Sequence, residues 1–224
     1  MFIGFQRIFS RMKGIVFDMD GVIVDSEPHH ICAFEEVFDE MGYGDSHGIR
    51  FEDYVGRSDR AVWDDFIQAH KPDYSLERLT HWKQDRVIEI LKKTEPLFEG
   101  LPELVASLSG TYPLGLASGS LHAVIDPVLD MGDLRRHFRT VVSVEDVGQP
   151  KPAPDVYLKA VANLGLEPVH CLAIEDSKFG IESALAAGMS VVAITNSFPK
   201  GELSKANGVV ESYSELAEWI AQNH

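Results

Sequence analysis

Lys13-Gly14-Ile15-Val16-Phe17-Asp18-Met19-Asp20-Gly21-Val22-Ile23-Val24-Asp25-Ser26-Glu27 is the stretch that decides how this chain reads. Ile15-Val16-Phe17 is a short apolar run with the character of a buried strand. It ends in two carboxylates two residues apart, and a glycine follows. Residues i and i+2 of an extended chain point the same way. Asp18 and Asp20 are therefore expected to face one site at the carboxyl end of a strand, where open α/β sheets bind their ligands. Two acids held that close repel each other, and a divalent cation that favours hard oxygen ligands, such as magnesium, would offset the repulsion. The same D-x-D-G pattern also makes ordinary strand-ending turns, so its neighbours decide.

Working outward, helical periodicity runs over 28–41 and stops at Gly42 and Gly44. Ser58-Asp59 reads as a cap before a helix at 61–69, and a longer helix follows at 74–93. Residues 28–96 carry no strand signal. The rest alternates: helix 102–109, strand 114–117, helix 121–131, strand 140–142, helix 154–164, strand 171–174, helix 179–187, strand 191–194 and helix 213–221. Strands alternating with helices predict an α/β fold, a Rossmann-like, doubly wound parallel sheet. The catalytic core is expected at 12–27 and 97–224, interrupted by an all-helical cap at 28–96. Residues 1–11 (MFIGFQRIFSR) have no long apolar core or small-residue cleavage site and read as an N-terminal extension.

Further chemistry falls at strand ends. Ser118 and Gly119 close one apolar strand and precede a helix, where a hydroxyl and backbone N–H groups bind anions; a simple helix-capping serine fits the same pattern. Lys151 lies between Pro150 and Pro152, which restrict its backbone. Glu175 and Asp176 end another apolar strand, and Asp176 or Ser177 is also a natural helix cap.

Composition narrows the function. In 224 residues the formal net charge is −15, which argues against nucleic acid and anionic membrane surfaces as partners. No apolar run reaches the roughly 20 residues of a membrane helix. Cys32 and Cys171 have no metal-ligand spacing and read as reduced core residues, which agrees with a cytoplasmic protein. His29, His47, His70, His81, His122, His137 and His170 likewise have no ligand spacing.

Taken together, Asp18-x-Asp20-Gly21, Ser118, Lys151 and Glu175-Asp176 resemble the four motifs of the haloacid dehalogenase superfamily. The resemblance runs from about residue 12 to the C-terminal region. It is greatest with the helical-cap subgroup of sugar-phosphate phosphatases, phosphoglycolate phosphatases and β-phosphoglucomutases. It implies a hydrolase that cleaves a phosphomonoester of a small metabolite, such as a sugar phosphate, through an aspartyl-phosphate. Asp18 would be the nucleophile and Asp20 the general acid and base. Ser118, Gly119 and Lys151 would hold the transferring phosphate. Mg²⁺ would bind Asp18, the Asp20 carbonyl and Asp176, with Glu175 a further ligand or a supporting partner. Glu27, His30, Arg57 and Arg60 are the cap candidates for substrate contact, although His30, Arg57 and Arg60 also fit an ordinary polar surface. A β-phosphoglucomutase-like phosphotransferase is the alternative. Against it, Asp59 stands where mutases carry an arginine, and Leu121 lies near the position of a mutase lysine. A non-catalytic phosphometabolite-binding protein is a third reading, disfavoured by an acid/base residue beside the nucleophile.

Overall fold

The computed structural model describes residues 12–54 and 59–223. The extension expected at residues 1–11 lies outside them, as do Arg57 and Ser58. The chain divides into two compact units: one runs through Asp25 and resumes at Leu97, and the other is Ser26–Pro96.

The first unit is built on six parallel strands: β1 (Gly14–Phe17), β2 (Leu114–Ala117), β3 (Phe138–Val142), β4 (Cys171–Glu175), β5 (Ser190–Ile194) and β6 (Gly208–Val210). Their order is β3-β2-β1-β4-β5-β6. β1 therefore sits centrally, with Phe17 paired to Leu116 on one side and to Ile174 on the other. The strand order reverses between β1 and β4, which opens a crevice at their carboxyl ends.

Burial on both faces explains the unbroken apolar runs. Val16, Ala117, Val142, Ala173, Val191 and Ala193 join one core cluster. It is completed by α6 (Asp155–Asn163) and α7 (Lys178–Ala186). The alternating residues Ile15, Phe17, Leu116, Ile174, Val192 and Ile194 are equally buried and point to the opposite face. There α4 (Leu101–Ser109) packs with α8 (Tyr213–Gln222), and α8 lies against β5 and β6. Among the described residues, the remaining α-helix of this unit is α5 (His122–Asp130).

The second unit contains α1 (Glu27–Glu40), α2 (Asp59–His70) and α3 (Leu76–Thr94), with two short 3₁₀ turns and, among the described residues, no strand. Phe34, Phe38, Trp63 and Phe66 form its aromatic centre, with Phe34 and Trp63 rings 4.9 Å apart. Lys83 of α3 is buried there; its Nζ donates to Asp59 Oδ2 at 2.6 Å, meets His30 Nδ1 and lies over the Phe34 ring.

Several expectations shift. Asp59 is the first residue of α2 rather than a cap. β3 begins two residues earlier than its apolar run, at Phe138. β6 was not anticipated: three residues starting with glycine give no period to detect. Cys171 is buried and free as expected, but Cys32 is only half-buried, its thiol directed at Glu36. Among the described residues no helix is long and apolar enough to cross a membrane.

Candidate active site

Asp18 follows β1 directly, and its amide still donates to Ile174 O at 2.9 Å. That bond extends the β1–β4 ladder by one residue and fixes the Asp18 backbone beside Glu175. Lys151 reaches both acids: its Nζ is 2.7 Å from Asp18 Oδ1 and 2.7 Å from Glu175 Oε1. All three side chains are largely shielded from water, and Glu175 wholly so. Asp176, next on the chain, is also buried. Carboxylate oxygens of Asp18, Glu175 and Asp176 lie within 4.8 Å of one another.

Glu175 is saturated with donors. Oε1 accepts from Lys151 and from the Tyr157 hydroxyl at 2.7 Å each. Oε2 accepts from the amides of Asp176 and Ser177 and from Ser177 Oγ at 3.0–3.2 Å. A carboxylate has about four acceptor positions, so these five donors occupy it. Room for it comes from Gly180, where a Cβ would fall 1.7 Å from Oε1. Ser177 caps α7 by accepting from the Gly180 amide. This leaves the Asp176 carboxylate free of capping.

Charge in this cluster is unbalanced. Burial pushes the Asp18 carboxyl up to about 7; Lys151 opposes the shift, and Glu175 and Asp20 add to it. Burial also raises Asp176 well above the usual range, reinforced by Glu175 and Asp18 and opposed by a Ser197 hydrogen bond and by Lys151. Burial works against the Lys151 ammonium, but Asp18 and Glu175 outweigh it and raise its pKa, so it stays charged. One lysine shared among several buried carboxylates leaves a deficit that a divalent cation fits.

Asp20 stands outside the close carboxylate group. Its Oδ2 accepts from Ser120 Oγ at 2.7 Å. The intervening turn is tight: Gly21 has φ +77°, and a Cβ there would fall 1.9 Å from Asp176 Oδ2. Only glycine satisfies both demands.

Ser118 is fully buried, and its role differs in detail from the expectation. Its amide donates to Val142 O, and its Oγ accepts from the Ser120 amide, each at 2.9 Å. The amides of residues 118 and 120 are thus occupied rather than free. Nor is Ser118 a helix cap, since α5 starts at His122 with Leu121 in the cap position. What remains is a hydroxyl proton, one hydrogen-bond donor. Gly119 beside it is exposed.

The structure thus brings Asp18, Lys151, Glu175 and Asp176 together and ties Asp20 to the Ser118-Gly119-Ser120 loop through Ser120. Glu27, His30 and Arg60 belong to the helical unit. Glu27 opens α1, His30 meets Lys83, and Arg60 is exposed and pairs with Asp64 at 3.3 Å. Arg57 lies outside the described residues. Sequence reading does not single out Tyr157, Ser120 or Ser197, each of which bonds a carboxylate of the site. Ser120 lay within reach, two residues after Ser118. Tyr157 reads as one more core aromatic of an amphipathic helix.

Comparison with known proteins shows the family. The profile of haloacid dehalogenase-like hydrolases matches residues 15–194. A fructose-1-phosphate phosphatase of Escherichia coli is 33% identical over 189 residues, covering 83% of this chain and 97% of its own length. Hexitol phosphatase B of the same organism is 36% identical over 183 residues, 80% of this chain and 82% of its own. Among solved structures, β-phosphoglucomutase of Clostridium difficile superposes with a TM-score of 0.77 at 24% identity, covering 95% of this chain and 96% of that one, which shows a shared fold.

Proposed function

The chain belongs to the haloacid dehalogenase-like hydrolase family and is a phosphatase of that type, and from that premise we propose that it is a magnesium-dependent phosphomonoesterase for a sugar or polyol phosphate. The observation that carries this reading is Lys151 Nζ at 2.7 Å from both Asp18 and Glu175, with Asp176 in the same carboxylate group. The two E. coli relatives, named for hexose and hexitol phosphates, support the substrate class.

In the proposed reaction Asp18 attacks phosphorus, forming a carboxyl–phosphate bond as the ester P–O bond breaks. Asp20 gives its proton to the departing alcohol oxygen. It then takes a proton from water, whose oxygen attacks phosphorus; the Asp18–phosphate bond breaks and inorganic phosphate leaves. Lys151 and the Ser118 hydroxyl hold phosphate oxygens and offset their charge. Glu175, with its lone pairs filled by five donors, acts as the post that orients Lys151 rather than as a metal ligand. Magnesium, when bound by Asp18, Asp176 and the Asp20 carbonyl, supplies charge neutralisation at the transferring phosphoryl group.

The test is phosphate release from a panel of hexose, pentose and hexitol phosphates with Mg²⁺ or with EDTA. Metal-dependent release from related members of that panel is the expected result. Release that persists in EDTA, or none from any ester, would overturn the reading.

A further inference from the structure

The phosphoryl-transfer steps give no role to two side chains that grip the turn next to Asp20. That turn is closed internally by Met19 O, which accepts from the amides of Val22, Ile23 and Val24 at 2.7–3.2 Å, and by Gly21 N donating to Val24 O at 2.9 Å. The carbonyls of Gly21 and Val22 are taken from elsewhere in the same unit. Asn196, just beyond β5, donates through Nδ2 to Gly21 O at 2.8 Å. Tyr213, at the start of α8, donates its hydroxyl to Val22 O at 2.6 Å. Asn196 Nδ2 also donates to the Tyr213 hydroxyl at 2.9 Å, which closes the network into a ring.

Tyr213 is buried, its ring 6.0 Å from that of Phe98. Burial raises its phenol above the ordinary value, so it keeps the proton it donates. The residue after Asn196, Ser197, bonds the Asp176 carboxylate. A Cβ on Gly21 would fall 2.5 Å from Ser197 Oγ. The segment after β5 therefore reaches a site carboxylate and the turn through adjacent residues.

We propose that Tyr213 and Asn196 are positioning residues for catalysis: by fixing the Gly21 and Val22 carbonyls they hold the turn so that the Asp20 carboxyl is aimed at the leaving-group oxygen. This rests on the phosphatase reading above. A misplacement of about 1 Å in a reacting group costs on the order of a hundredfold in rate, so two hydrogen bonds on the adjoining peptide are enough to matter. A mere structural tie would not distinguish between substrates. A group that aims the general acid does distinguish, because an alkyl alcohol leaves only with a proton whereas p-nitrophenolate leaves without one.

The experiment compares kcat/KM of the Mg²⁺-loaded enzyme for an accepted sugar or polyol phosphate and for p-nitrophenyl phosphate. This ratio reports steps through transfer to the enzyme, and so excludes the later water step common to both esters. Tyr213→Phe keeps the ring and loses the donor. It is expected to lower kcat/KM for the alkyl ester about tenfold or more and for the nitrophenyl ester less than about threefold, a difference within the range of general acid catalysis. Asn196→Ala, which leaves the phenol in place, is expected to give the same pattern and provides a second variant if the first folds poorly. Because both act on one turn, the double variant should fall less than the product of the single effects. Equal losses on both esters, or a lowered Tm with rates unchanged, would overturn the inference. Wild-type enzyme inactive on both esters would instead overturn the phosphatase reading from which it starts.

Discussion

Ser120 Oγ donates to Asp20 Oδ2 across 2.7 Å, joining the loop after β2 to the turn after β1. The same serine donates its amide to Ser118 Oγ. One residue therefore sets the relation between the proposed acid/base and the proposed phosphate hydroxyl. Ser120→Ala deletes the first bond and keeps the second, since the amide is backbone. The bond holds the Asp20 carboxyl in place, and a misplacement of about 1 Å in a reacting group costs on the order of a hundredfold in rate, so kcat is expected to fall at least about tenfold. Steady-state kinetics on an accepted ester decides it, and an unchanged kcat would remove Ser120 from the mechanism.

Asp18→Asn should abolish turnover while leaving the fold intact. The amide keeps the shape of the side chain and its backbone bond to Ile174, but it is a poor nucleophile. Circular dichroism and phosphate release together check this. Residual activity near wild type would eliminate Asp18 as the attacking group.

Metal and pH are linked through the same carboxyls. Asp18, raised to about 7, and Asp176, also raised, bind protons more tightly in the folded chain than in the unfolded one. Between about pH 4, the unfolded carboxylate value, and about pH 7, the folded state carries the extra protons. Stability of the metal-free protein therefore declines as pH rises through that window. Mg²⁺ competes with those protons, so the gain in Tm on adding it should be larger at pH 8 than at pH 5. Thermal melts at the two pH values, with and without Mg²⁺, test this; an equal gain at both would contradict it.

Gly180→Ala should be severe for a single methyl group. The added carbon meets Glu175 in the buried interior, 1.7 Å from Oε1. Glu175 has to move, and its five donors lose their acceptor together. Leaving such groups unsatisfied costs about 1–3 kcal/mol each, so the expected loss of stability exceeds about 2 kcal/mol, accompanied by loss of activity as Lys151 shifts. Urea unfolding measures the first effect and phosphate release the second. A variant of wild-type stability would mean that the interior yields more easily than its packing indicates.

The sheet and its chemistry were legible where sequence and burial coincide. β1, β2 and β4 are covered on both faces, so their apolar runs stand out, and Asp18, Ser118 and Glu175 are marked by ending them. Legibility fails where one residue serves two purposes. Tyr157 and Tyr213 satisfy the apolar period of their helices, and nothing in that period discloses that each hydroxyl anchors the site. Lys83 lies in a strongly polar helix and reads as surface charge. Its burial depends on Asp59, 24 positions away, which neutralises it at 2.6 Å. Partners of that kind are set by tertiary packing, which local pattern does not encode.

The bond between Tyr213 and Val22 spans 191 positions, and this has a consequence for how the protein is made. Synthesis proceeds from the N-terminus, so the turn beside Asp20 leaves the ribosome well before α8 does. A nascent chain can already carry Asp18, Asp20, Ser118, Lys151 and Glu175 while the phenol that clasps their turn has yet to be translated. The enzyme is thus fastened by a segment made after its reactive groups, and a chain cut short before residue 213 would have those groups without the fastening.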